Sequence, residues 1–206
     1  MRRPILLAAL FAVSAASLAP LAAQRSSRDR GIVELAPEPT RGGFYATLGV
    51  GAGREQYKFS DQLEFTDALT KPTIAIRLGG TPNANVRVGA ELFGWGSEVE
   101  EGTESFSTAL LSAQIYPSQT AGLYLKAGGG IARSGIDFDN GSSTFETGFG
   151  WTLGAGYDLP LSRSVSLGPT LDLYQGSFTQ RNEPTLTERV LNIGVQVTFQ
   201  TGRRGR

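Results

Sequence analysis

Apolar and small or polar side chains alternate through most of the chain beyond residue 42, and no long stretch repeats with a helical period. Successive side chains of a strand point to opposite faces, so each alternating run has one apolar face and one small or polar face. Eight such runs can be read, over residues 44–51, 73–79, 86–93, 108–116, 123–131, 145–158, 165–174 and 188–200. The last shows the pattern most fully: Leu191, Ile193, Val195, Val197 and Phe199 alternate with Asn192, Gly194, Gln196 and Thr198. The seventh contains Pro169, which cannot donate a ladder hydrogen bond, so a bulge or register fault is expected there.

The charges decide which face looks where. Within the runs the apolar faces carry no Asp, Glu, Lys or Arg, while the opposite faces carry Arg77, Arg87, Lys126, Glu91, Glu146, Asp158 and Asp172. A soluble barrel keeps its apolar face inside; a membrane barrel turns it to lipid and points the polar face inward. Connection length favours the second arrangement. Residues 81–84, 117–121 and 160–164 make short turns, and the connections after runs one, three, five and seven are read as long, polar loops. Short periplasmic turns and long outer loops are the membrane-barrel habit, and they place both termini in the periplasm. Aromatics near run ends (Phe44, Tyr57, Trp95, Phe145, Tyr157 and Phe199) fit a girdle at the lipid–water boundary. The expected fold is an all-β, eight-stranded antiparallel up-and-down transmembrane β-barrel over residues 42–200.

Ahead of the barrel, residues 1–23 read as a secretory signal peptide. Arg2 and Arg3 form the basic start, Ile5 to Val13 the apolar run, and small residues lead to a cut after Ala23. Residues 24–41 are polar and aperiodic, as expected of a flexible periplasmic leader, and residues 201–206 form a short periplasmic tail. The mean hydropathy of -0.13 would suit a soluble protein, but in a barrel lipid-facing and inward residues average out.

The polar residue, glycine and alternating hydrophobics that end in an aromatic, with Asn192, Gly194, Val197 and Phe199 at those positions, resemble the C-terminal assembly signal of bacterial outer-membrane β-barrels. Val197 stands where an aromatic is common, and seven residues follow a Phe that is usually terminal. Over residues 42–199 the chain resembles the small OmpA/OmpX-like outer-membrane β-barrel superfamily. The resemblance implies residence in the outer membrane among its lipid and lipopolysaccharide, insertion by the barrel-assembly machinery, and a monomer without cofactors.

Composition narrows the chemistry. The net charge of +0 gives no reason to expect a nucleic-acid partner. Cys is absent, which removes disulfides and thiolate metal sites. His is also absent, and Ser107 and Ser112 have no visible base to activate them, so no enzyme is expected. The acidic segment with Glu98, Glu100, Glu101 and Glu104 matches no calcium-loop spacing and reads as a solvated loop, so no metal site is expected. Arg54 and Arg133 fall at outer strand ends, where they could meet lipopolysaccharide phosphates.

The inward charges are the remaining candidates. Arg77, Arg87, Glu91, Lys126 and Asp172 are expected to form one ionic cluster across the lumen, because a narrow barrel has room for side chains and little else. The role expected is structural support of the envelope with surface loops available for contacts. A low-conductance pore and a loop-mediated adhesin or receptor are the alternatives.

Overall fold

The structure is a computed structural model that describes residues 41–100, 102–179 and 184–201. The expected signal peptide, nearly all of the leader and residues 202–206 lie outside the described residues.

The chain forms β1 (Gly43–Phe59), β2 (Leu69–Asn83), β3 (Val86–Val99), β4 (Gly102–Ile115), β5 (Leu123–Phe138), β6 (Ser143–Tyr157), β7 (Leu159–Pro160), β8 (Val165–Phe178) and β9 (Leu186–Gln200). Every neighbouring pair is antiparallel. β9 returns to β1 from Tyr45↔Gln200 to Phe59↔Leu186, and β6 pairs with β8, so the sheet closes and leaves no edge. β7 continues β6 past Asp158, so the nine segments make eight staves of an up-and-down barrel.

The alternation read from the sequence is the one the barrel uses. Leu48, Val50, Ile74, Leu92, Ile131, Leu153 and Ile193 are exposed on the outside, and Arg77, Arg87, Glu91, Lys126 and Asp172 are buried within. The outer apolar band has a measurable height. It runs over residues 44–52 of β1, 123–131 of β5, 149–157 of β6 and 191–199 of β9, nine residues each, with no charged outward side chain. A tilted strand needs about 9–11 residues to cross a bilayer core. Arg54, Arg133 and Arg189 stand just beyond the band on the outer side.

Three expectations need correction. Pro169 causes no register fault: β8 stays in step with β9 through Pro169↔Val195. Pairing with the neighbouring stave instead lapses opposite Gly168 and Pro169 and resumes in the same register as β7, because the missing N–H removes a bond without inserting a residue. The outer connections are not all long loops. β3 and β4 pair up to Val99↔Gly102, and β5 and β6 up to Asp137↔Ser143, so the polar sequence there is strand that rises past the lipid band. Backbone pairing needs no apolar side chains, so hydrophobicity understated strand length. In the β5–β6 turn Gly141 takes a φ of 87°, which a residue with a side chain rarely adopts. The third correction concerns the girdle. Trp95 points inward and is buried with its Nε1 donating to the Gly53 carbonyl, and Tyr57 faces the lumen, whereas Phe44, Tyr157 and Phe199 do face outward.

Candidate functional site

The lumen is filled in layers, and parity along each strand sets who enters it. Arg77 on β2, Glu91 on β3, Lys126 on β5 and Asp172 on β8 form one chain of contacts. Lys126 Nζ lies 2.6 Å from Glu91 Oε1 and 2.9 Å from Asp172 Oδ1, and Arg77 Nε lies 3.8 Å from Glu91 Oε1. Tyr174 donates its hydroxyl to the same Glu91 oxygen at 2.6 Å, and Thr170 donates to Asp172 at 2.6 Å. All four charged side chains are within 1% of complete burial. Removing one member of such a set strands its partners in a dry interior, which costs about 3–5 kcal/mol.

Arg87, the fifth expected member, belongs elsewhere. It donates to Asp158 Oδ2 at 2.8 Å, to the Tyr116 hydroxyl at 2.6 Å and to Gln200 at 2.7 Å. Residues four apart on one strand are separated by about 13 Å, at 3.3 Å per residue, so Arg87 cannot share a contact with Glu91 merely by sharing its face. The two groups are joined by Gln196. It accepts from Arg77 and donates to Tyr124 at 2.8 Å and to Asp158 at 3.3 Å. Asp158 was legible as an inward acid, but the run of sequence held nothing to say which base it would meet. Gln196, Tyr116 and Tyr174 sit on the same inward parity and complete the network.

Below this layer Arg41 closes the end of the barrel that carries the termini. Its guanidinium stacks 3.8 Å from the Tyr116 ring centroid and donates to the carbonyls of Ser118, Gln119 and Ala121 in the β4–β5 turn. Arg41, the last residue of the expected flexible leader, is an anchored lid on the lumen.

Above the ionic layer lies an apolar one that the charge pattern did not announce. Phe93, Trp95, Phe106, Leu110, Ala132, Tyr174, Phe178 and Val190 form a buried cluster. Phe93 stacks on Tyr174 with centroids 3.7 Å apart, which couples the two layers. Among the described residues no group of three or more His, Cys, Asp or Glu is placed to hold a metal ion.

The residues expected to signal assembly lie on β9. Asn192 faces inward and accepts from the Thr73 hydroxyl at 2.5 Å. Gly194 meets Gly51 across the β1–β9 seam, and a Cβ there would come within 2.5 Å of the Val50 carbonyl oxygen. Val197 and Phe199 face outward. On the outer rim Arg133 packs 3.7 Å over Phe145. Arg189, which the sequence reading passed over, packs 3.6 Å over Phe65 and, with Arg54 and Gln56, borders an outer groove of about 410 Å³ over Leu173 and Leu191.

Residues 5–199 match the model of the outer membrane protein beta-barrel domain. Among solved structures, the barrel is similar to Neisserial surface protein A at 17% identity and a TM-score of 0.53, over 75% of this chain and 96% of that one. It is also similar to Ail, the attachment invasion locus protein of Yersinia pestis, at 11% identity and a TM-score of 0.46, over 76% and 99%. A third is OprG of Pseudomonas aeruginosa, at 12% identity and a TM-score of 0.41, over 80% and 99%. No curated protein matches the sequence.

Proposed function

The chain belongs to the outer membrane protein β-barrel domain family, and from that premise we propose that it is a closed, non-enzymatic wall element of the outer membrane that supports the envelope and offers its outer hairpins for surface contacts. The observation that carries this reading is the lumen. Ion pairs span it from β2 to β8, and an aromatic layer lies above them. A permeating ion would have to break paired charges and then cross an apolar constriction, each a barrier in its own right. On this reading the inward charges are structural members and do not line a path.

The partners follow from the same surfaces. The outward band meets lipid as a monomer. The arginines at its outer rim are suited to lipopolysaccharide phosphates, which guanidinium groups grip in bidentate fashion. Asn192, Gly194, Val197 and Phe199 serve as the signal to the barrel-assembly machinery, on the strand that makes the final seam. The test is a planar-bilayer recording on refolded protein. Insertions should pass no steady current; stable conductance steps in most insertions would replace this reading with a pore.

A further inference from the structure

Above the apolar layer, the outer mouth of the lumen opens into a cavity of about 350 Å³. That is within the range of small-molecule sites. Its wall combines two chemistries. Tyr57, Phe59, Ile136, Phe138 and Leu186 present apolar surface, and Glu104, Glu146 and Glu188 present carboxylates, Glu104 on β4 and Glu188 on β9 from opposite sides. All these side chains come from strand segments that rise past the lipid band.

Glu55 lies just beneath this wall. On β1 it is one inward step below Tyr57, and its register partner is Val190 of the apolar layer, whereas Tyr57 pairs with Glu188 on the cavity wall. Glu55 is 3% exposed, and its Oε1 has no hydrogen-bond partner. Among the described residues neither Glu55, Glu104 nor Glu188 makes an ion pair; the four ion pairs of the lumen involve other residues. Lys71 faces inward on the adjoining strand β2 and does not reach Glu55 within ion-pair distance. The deeper lumen balances acid with base.

Burial pushes the Glu188 carboxyl up to about 8, with Glu55 and Glu104 adding to the effect against a hydrogen bond from Ser134. Burial, reinforced by Glu104, raises Glu55 to about 7. Both groups lie outside the lipid band, and each gains if a cation enters. A bare metal ion would want several oxygens converging at short range, and among the described residues no such group is placed here. An ammonium on an apolar body matches both components, with Tyr57, Phe59 and Phe138 able to stack on the body or receive the charge on a ring face.

We propose that this outer vestibule binds small amphipathic organic cations, with the ammonium held by Glu188 and Glu104 above the buried Glu55 and the apolar body seated against Tyr57, Phe59, Ile136 and Phe138. The site lies outside the apolar layer, so it needs no conducting lumen, and a conductance measurement tests the functional reading separately.

The experiment is calorimetric titration of tryptamine, indole and calcium chloride into the full chain refolded in phosphatidylcholine nanodiscs, with empty nanodiscs as blank. Tryptamine should bind saturably at one site, and uncharged indole should bind about tenfold more weakly or worse. Glu188→Gln and Glu104→Gln, which keep shape and lose charge, should each weaken tryptamine by about tenfold. Leu186→Trp should abolish binding by filling the cavity while leaving the carboxylates in place. Glu98→Gln, exposed on the β3–β4 hairpin, should change nothing. Equal binding of indole and tryptamine overturns the proposal, as does calcium competing with tryptamine for the site, or tryptamine binding that Leu186→Trp leaves unchanged. Absence of saturable binding to protein with the heat-modifiable gel mobility of a folded barrel overturns it as well.

Discussion

Arg87 reaches across the lumen to Asp158, 2.8 Å away, and leaves Glu91 on its own strand face to Lys126 of β5. The barrel interior therefore holds two ionic groups joined by Gln196, and mutational coupling should follow those contacts.

Glu91→Ala should destabilise the refolded barrel by about 3–5 kcal/mol, since it leaves Lys126 and Arg77 buried without their shared carboxylate. Adding Arg87→Ala should give no rescue, and the two losses should sum to within about 0.5 kcal/mol. Arg87→Ala and Asp158→Ala should instead be strongly non-additive. Denaturant titrations in detergent or vesicles provide the cycles. Coupling between Arg87 and Glu91 as large as that between Arg87 and Asp158 would contradict the contacts described.

Leu153 faces lipid in the middle of the band. Leu153→Arg should cost roughly 2–4 kcal/mol on insertion, the penalty of a midplane arginine on a barrel exterior. Thr152 is 1% exposed inside a filled lumen, so Thr152→Arg should also fail, by overpacking, while Thr152→Val is tolerated. The discriminating outcome is Leu153→Val and Thr152→Val both folding normally while Leu153→Arg does not enter vesicles.

The assembly signal has to be tested away from the seam. Gly194→Asp would force a side chain against the Val50 carbonyl, so it damages the folded barrel whether or not the machinery reads it. Phe199 is 54% exposed to lipid, and Phe199→Ala removes it with little loss of packing. Pulse-chase in cells should show slower appearance of the heat-modifiable form for Phe199→Ala, with unfolding midpoints in vitro close to wild type. An unchanged rate in cells removes Phe199 from the signal.

Stability should fall as pH rises through the vestibule acids. Glu188 and Glu55 bind protons more tightly in the folded barrel, at about 8 and about 7, than at the ordinary value of 4.5. Between 4.5 and those values the folded state holds more protons than the unfolded one, so unfolding becomes easier with each step up in pH. The groups facing them are Glu104, Glu146, Tyr57 and Ser134, with Lys71 on β2. Unfolding midpoints from pH 5 to 9 should decline in wild type and flatten in Glu55→Gln/Glu188→Gln. An equal slope in that variant would place the titration elsewhere.

The chain has no cysteine, so single cysteines report topology cleanly. A membrane-impermeant maleimide on intact cells should label Gln62→Cys and Asn140→Cys in the outer connections. It should reach Asn83→Cys and Ser118→Cys only after the outer membrane is opened. Labelling of Asn83→Cys from outside would invert the barrel.

Alternation is a local property, and that is why so much is legible in the sequence. A period of two read on one strand gives the face of every residue on it, so eight staves, the lipid side and the inward charges all followed from the chain itself. Strand length did not, because above the membrane polar residues such as Glu98 and Asp137 pair as well as apolar ones, and hydrophobicity stops marking the strand. Trp95 shares the parity of Glu91 and Phe93, so its alternation and not its residue type sets the face it takes. The partners within the lumen were decided only by the tertiary structure. Which base meets which acid depends on the register and height of staves far apart in sequence, as Arg87 with Asp158 and Lys126 with Glu91 show. The gathering of Glu55, Glu104 and Glu188 at one mouth arises the same way. Three strands had to close into a barrel before these acids came together.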